Sequence, residues 1–352
     1  MKLMYDFFTG QLGLDATGAN ISVASVMAVI MFTVMALCAI VLTWMERKVA
    51  GFMQSRYGPM YTGRFHGWAQ AVADMLKILG KEDIIPAESD KGLFKFAPIL
   101  VLLGSLLAWA AIPWAPDFVA ADFDLGLFYI FAVSSLVVIG ILMAGWASNN
   151  KWALYGAARG AAQMISYEIP LALAAVPVVM RAGSLNPSDI VIAQQGGIWH
   201  WNINPITNPF LFIAFFMYFI ASIAETNRGP FDMPETESEL VAGYHTEYTG
   251  MRFAFFFLAE YANLFLVSMI AAMVFLGGWW APIPVLDRFI PPALSFIIKG
   301  MLLVFLNMWV RWTLPRVRVD QLMHLCWKVM IPVSLLCVVG AGVWMMALGQ
   351  LK

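Results

Sequence analysis

Four carboxylates, Asp232, Glu235, Glu237 and Glu239, fall within eight residues of the stretch NRGPFDMPETESEL at 227–240. Only 12% of the chain is charged, yet these acids sit between two strongly apolar segments. Three more ionisable residues lie inside apolar runs: Glu168 in QMISYEIPLAL, Glu260 in FFFLAEYANLF and Lys299 in SFIIKGMLL. A charge at the centre of a membrane helix costs roughly 2.5–3.5 kcal/mol on insertion scales, so a protein keeps it buried in the bundle, paired, or facing water. Burial raises the pKa of a carboxylate, a property suited to a proton carrier. A structural pair such as Glu260 with Lys299 is one reading; proton handling is the other, and intramembrane charge favours it. In the loop, Pro234 followed by acids is a helix-start signal. Asp232 and Thr236 each precede a Glu by three residues, the spacing of a capping box, and acids in a first turn suit the helix dipole. Capping accounts for two carboxylates. It does not account for four, nor for Glu225 just before the loop, Glu247 beyond it and Glu260 inside the next apolar run. A series of acids leading from a loop into the bilayer is what a proton path needs.

The elements that must position these groups follow from composition. The chain has 352 residues, is 61% hydrophobic and has a mean hydropathy of +0.76. Soluble domains are about 45–50% apolar and about 25% charged, so the solvent of this chain is lipid. The net charge of -1 carries no electrostatic footprint for nucleic acid. Cys38, Cys326 and Cys337 form no CxxC pair, which excludes a disulfide frame or an iron–sulfur site on this pattern. No P-loop and no GxGxxG after a strand is present, so no nucleotide or other bound cofactor is expected. Residues 1–20 lack the basic region and cleavage site of a signal peptide.

A spanning helix needs roughly 20 apolar residues. Eight runs qualify: 22–45, 94–114, 125–147, 156–180, 208–225, 253–278, 290–310 and 329–348. They predict an all-α, polytopic membrane helix bundle over 1–352, a single integral membrane domain. Barrel strands are excluded by the length of the runs. The connections 46–93, 148–155, 226–252 and 311–328 carry fourteen Lys or Arg, whereas the opposite loops carry only Arg181 and Arg288. The positive-inside rule places the first set in the cytoplasm or an organelle matrix and both termini outside. Within the first inner loop, FHGWAQAVADMLKILG (65–80) puts Phe65, Trp68, Val72, Met75 and Leu79 on one stripe and His66, Gln70, Asp74 and Lys77 on the other. That predicts an interfacial amphipathic helix lying on the bilayer or on its own protein. His200, in the outer loop, reads as an exposed loop residue rather than a ligand.

Four stretches together carry a resemblance: WMERKVAGFMQSRYGP (44–59) with QAVADMLKILGKEDIIP (70–86), GWASNNKWALYGAARGAAQMISYEIP (145–170), AETNRGPFDMPETESELVAGYHTEYTGMRFAFFFLAEY (224–261) and RWTLPRVRVDQLMHLCWKVMIP (311–332). In that order they closely resemble the H subunit family of NADH–quinone oxidoreductase, respiratory complex I. Where many members of that family read GPN this chain has Gly58, Pro59 and Met60, so it departs at Met60. The resemblance implies a quinone as substrate, and flavin mononucleotide and iron–sulfur clusters in partner subunits. It implies hydrophilic quinone-site partners, antiporter-like membrane partners, and residence in a bacterial inner or mitochondrial inner membrane. It implies that the inner loops 46–93 and 226–252 form the quinone-side surface. Glu225, Glu235, Glu237 and Glu239 would lie between the quinone chamber and the membrane, with Glu168 and Glu260 continuing a proton relay into the bundle. Glu46, Arg47 and Arg56, with the helix that begins at Phe65, would frame the tunnel entrance, and Arg228 and Asp232 would shape the loop against the chamber. The rival readings are the related subunit of a complex I-like hydrogenase and, from a different class, an autonomous ion transporter. The latter usually shows an internal repeat, and none is visible.

Overall fold

Apolar runs without backbone partners in lipid have to close their own hydrogen bonds, and helices result. The computed structural model describes residues 15–116 and 118–348, with the side chains of 237 and 238 outside that description. The helices are α1 (Ala16–Met53), α2 (Gln70–Leu79), α3 (Lys91–Trp109), α4 (Gly126–Ala147), α5 (Lys151–Ala182), α6 (Pro187–Ile192), α7 (Pro209–Glu225), α8 (Glu237–Leu240), α9 (Gly250–Phe275), α10 (Pro292–Thr313), α11 (Val319–His324) and α12 (Ile331–Ala347). A π-helical stretch, Leu325–Met330, fuses α11 to α12. The one departure from all-helical structure among the described residues is a two-stranded antiparallel hairpin, β1 (Pro113–Ala115) and β2 (Phe118–Val119).

Seven helices, counting Val319–Ala347 as one, are long and apolar enough to cross a membrane. The eighth expected span, α7, has 17 residues, about 25 Å at 1.5 Å per residue, somewhat less than a hydrocarbon core of about 30 Å. Asn208 stops it early at one end, its side chain accepting from the Phe210 amide at 3.0 Å with Pro209 in the first turn. The core runs along α9, in which every residue from Leu264 to Phe275 is buried.

Several sequence boundaries move. The first span continues to Met53, so Glu46 and Arg47 stand on helix α1 rather than in a loop. α5 starts at Lys151, capped by the Asn150 side chain, and carries Arg159 within it. The amphipathic helix covers only Gln70–Leu79, not 65–80. Phe65, His66 and Trp68 lie in turns, because Gly67 takes φ +65° where a Cβ would sit 2.4 Å from the Pro59 carbonyl carbon. Its apolar residues Met75, Leu76 and Leu79 remain exposed.

Inside α5, Pro170 has no N–H to offer the Ser166 carbonyl. The Cys326 thiol of the π-helical stretch donates to that oxygen at 3.0 Å, and Tyr167 donates to Leu322 O at 2.9 Å. Proline thus creates a vacancy that ties α5 to the last span.

Candidate functional site

Glu46 is carried on the last turns of α1, and Arg311 lies in the last turn of α10. The loop after α7 brings Arg228 between them. Arg228 Nη1 donates to Glu46 Oε2 at 2.6 Å, and Arg311 Nη1 donates to Glu46 Oε1 at 2.5 Å. Arg228 Nη2 also pairs with Glu260 Oε1 of α9 at 2.9 Å. The Arg228 guanidinium lies 4.3 Å from the ring centre of Tyr261, a cation–π contact. Arg228 is 2% exposed and Glu46 4%, so two acids and two arginines balance their charges largely out of water. Burial alone works against the Arg228 charge, but Glu46 and Glu260 outweigh it and hold its pKa well above the ordinary arginine value.

The loop that delivers Arg228 is held from below. Gln163 on α5 donates to Ala224 O at 2.6 Å and to Phe231 O at 2.7 Å. Further along, α5 passes under the loop at Gly156, where a Cβ would meet Gly243 Cα at 2.7 Å and Pro234 O at 2.9 Å. Only glycine permits that approach, and it brings the acid-rich stretch down onto the bundle.

Glu235 lies beside this cluster. Tyr244 donates to its Oε1 at 3.5 Å, and His245 Nδ1 stands 3.7 Å from the same oxygen. Burial first, then the neighbouring Glu260 and Asp232, pushes the Glu235 carboxyl far above the usual range against the opposing pull of Arg311 and Arg228. Burial pushes His245 down to about 4. With its imidazole neutral near neutral pH, His245 makes a polar contact with Glu235 and not an ion pair.

The other expected acids fall into two separate places. Glu168 is near enough to Glu225 to act on it electrostatically, and Glu225 Oε2 is buried without a hydrogen-bond partner among the described residues. No arginine or lysine pairs with either in the described ion pairs. Glu239 sits at the surface, where Arg159 donates to it at 2.6 Å and thereby lowers its pKa. The side chain of Glu237 lies outside the described residues. The expected capping boxes do not form: α8 begins after Thr236, whose hydroxyl makes no cap and instead bonds the Met233 carbonyl at 3.0 Å while accepting from Arg316. Asp232 sits in the loop as a charge neighbour of Glu235 and Glu260.

Lys299 does not pair with Glu260. Its ammonium donates to the carbonyls of Leu276 at 2.6 Å, Gly278 at 2.9 Å and Trp280 at 2.5 Å, and lies 4.1 Å from the Trp201 ring centre. Three donors meet three acceptors past the end of α9, while Glu260 stands about four turns before that end. The lysine therefore serves as a C-terminal cap.

A cavity of about 510 Å³ opens beside the cluster, lined by Glu46, Arg47, Arg56, Gln70, Tyr261 and Trp312 among others. Three of the expected quinone residues, Glu46, Arg47 and Arg56, thus share one wall. The chain turns back to form it: Gly51 and Gly58 meet closely, and Lys48 donates to Pro59 O at 2.5 Å and contacts Met60 Sδ at 3.2 Å. Phe65 is 75% exposed and does not line the cavity. A second, mainly apolar cavity of about 390 Å³ lies between α1, α2 and α9. Arg311 and Tyr261 were not singled out as site residues, and spacing named Gln70 and Asp74 only as the polar face of the amphipathic helix. Arg311 ends a span and Tyr261 follows Glu260, but no local pattern tells that they converge on Glu46. His200 is exposed, with its Nδ1 3.3 Å from Gly196 O, and no cluster that could hold a metal occurs among the described residues.

Fold and site together define a multi-pass helical membrane protein with a buried two-acid, two-arginine cluster opening onto a polar cavity at one face. Known proteins narrow this. A family model described as NADH dehydrogenase matches residues 26–342. The chain is 51% identical over 310 residues to the H subunit of NADH-quinone oxidoreductase from Chlorobaculum tepidum, covering 85% of this chain and 86% of that one. It is 44% identical over 338 residues to the H subunit from Anaeromyxobacter dehalogenans, covering 91% and 81%, and 53% identical over 291 residues to that of a Geobacillus strain, covering 83% and 84%. The chain belongs to the NADH dehydrogenase family.

Proposed function

We propose that this chain is the membrane subunit of an NADH–quinone oxidoreductase that frames the quinone chamber and passes the effect of quinone reduction to protons. The single observation that carries this reading is the double placement of Glu46. It lines the polar cavity and anchors the buried cluster of Arg228, Arg311 and Glu260. A charge change in the cavity is then felt by the cluster. Unit charges about 10 Å apart interact by roughly 1.7 kcal/mol at an effective dielectric of 20, and by half of that at about 20 Å. A distant site therefore responds through nearer acids, one biasing the next. Arg228 bridges Glu46 to Glu260 and Glu260 neighbours Glu235; the separate Glu168–Glu225 pair, on α5 and α7, is in this reading the next station of the series.

In this reading the cavity face is the cytoplasmic or matrix side. Partner subunits carry the flavin and iron–sulfur clusters that deliver electrons from NADH, and antiporter-like membrane subunits receive the proton signal. Arg47 and Arg56 offer hydrogen-bond donors to a quinone carbonyl, and Asp232 sets the charge of the loop beside Glu235.

The test is neutral substitution. Glu225→Gln, Glu235→Gln and Glu260→Gln in the assembled complex are expected to depress NADH-driven quinone reduction and proton pumping together, with assembly retained. If all three variants turn over and pump like the parent, the relay is wrong.

A further inference from the structure

The polar and apolar cavities are separated by one turn of α2 and one side chain of α1. Gln70 lines the polar cavity, Asp74 lines the apolar one, and Arg47 lines both. Arg47 is ion-paired to Asp74, so the pair lies across the boundary. Asp74 is held by its other oxygen: Gln70 Nε2 donates to Oδ1 at 3.1 Å, and Thr62 Oγ1 donates to Gln70 Oε1 at 2.7 Å. Nothing comparable fastens the guanidinium of Arg47 among the described hydrogen bonds. Of the two partners, Arg47 is free to swing and Asp74 is the fixed post. The pair is 41% and 34% exposed, and an ion pair that wet is cheap to part.

The walls differ in chemistry. The outer cavity is built from Phe32, Ile40, Met75, Phe257 and Leu258, which suit an aliphatic chain. The inner one presents Glu46, Arg47, Arg56 and Gln70, which suit a carbonyl-bearing head.

We propose that the Arg47–Asp74 pair is a gate between these cavities, parted by the head of a lipid-soluble quinone and held open by its tail. Asp74 and Gln70 are positioning residues of this gate. The inference rests on the quinone reading given above and adds to it which contact selects for tail length. As the head passes, a quinone carbonyl takes the guanidinium hydrogen bond that Asp74 releases. A substrate with a long isoprenoid tail leaves that tail lying through the gap, so the ion pair stays broken while the substrate is bound. A short-tailed analogue clears the gap and lets the pair re-form. Every head parts the pair on its way in, so the cost of keeping it parted once the head is seated falls on long tails alone.

The experiment uses the assembled enzyme in liposomes and two quinones, one with about ten isoprenoid units and one with a single unit. Electron transfer from NADH to a water-soluble acceptor such as hexacyanoferrate normalises the amount of enzyme. Asp74→Asn is expected to raise the ratio of kcat/KM, long over short, by about 1.5- to 5-fold, the range that an exposed ion pair supplies. Asp74→Glu keeps the pair and is expected to return the ratio to the parent value. Gln70→Leu unfastens the post without removing its charge, and moves the ratio in the same direction by less. It also reads the gate should Asp74→Asn fail to assemble. An unchanged ratio in both Asp74→Asn and Gln70→Leu, or an equal change in Asp74→Glu and Asp74→Asn, overturns the gate. If the parent complex reduces neither quinone, the functional reading itself falls. If it reduces both and the ratio does not move, only the gate falls.

Discussion

Replacing Arg228 with methionine keeps much of its volume and removes its charge. The structure says what is then left behind. Glu46, 4% exposed, keeps one of its two arginines, Arg311 at 2.5 Å, and its hydrogen bond with Tyr261, while Glu260 loses its ion pair at 2.9 Å. The face of Tyr261 loses a cation 4.3 Å away. Removing one partner of a buried pair costs about 3–5 kcal/mol, because the surviving charge is stranded. That is a large share of a stability of about 5–15 kcal/mol. Adding Glu260→Gln to Arg228→Met removes one of the stranded charges, so the double variant is expected to be less damaged than the single one. Asp320→Asn provides the contrast: its partner Arg318 and Asp320 itself are 77% and 64% exposed, and little change is expected. Pulse alkylation of the buried thiols of Cys326 and Cys337 during a thermal ramp in native membranes, read by mass spectrometry, gives the unfolding midpoint. Chain abundance gives a second reading. The reasoning is refuted if Arg228→Met matches the parent in both, or if Arg228→Met with Glu260→Gln unfolds below Arg228→Met alone.

Two further outcomes follow from neighbouring groups. His245 titrates near 6.5 when unfolded and about 4 when folded, so between those values the unfolded chain holds more protons and stability falls with falling pH, by about 3 kcal/mol in all. His245→Asn is expected to flatten that acid limb in the same alkylation assay; Glu235, with its raised pKa, acts oppositely, its contribution being lost as pH rises above about 4.5. Lys299→Met strands three carbonyls and is expected to cost about 3 kcal/mol of stability, and combined with Glu260→Gln the effects should add within about 0.5 kcal/mol, since the two do not touch; a larger coupling would reinstate the pair.

Much of the architecture is written in local pattern. The seven long spans and the α7 segment follow from runs of apolar residues, since lipid leaves the backbone no alternative to helix. The boundaries were less legible. Continuation of α1 through Glu46 and Arg47 depends on a turn whose glycines, Gly51 and Gly58, pack against one another. The shortening of the amphipathic helix depends on Gly67 meeting Pro59. Both are contacts between segments, to which periodicity is blind. The acids separate for the same reason. Glu225, Glu235 and Glu239 stand within fifteen residues of one another, yet the first is buried beside Glu168, the second joins the arginine cluster, and the third is at the surface with Arg159.

By itself the sequence determined that the chain lives in lipid, that it is helical, and that its ionisable groups inside apolar runs had to be compensated. Those properties follow from the solvation cost of each residue and each short run taken alone. Only the tertiary structure decided which partner supplied the compensation: Arg228 and not Lys299 for Glu260, Arg311 for Glu46, and main-chain carbonyls for Lys299. Charge compensation acts over a few ångströms, and residues as far apart as Glu46 and Arg311 come within that range only after helices α1 and α10 have packed.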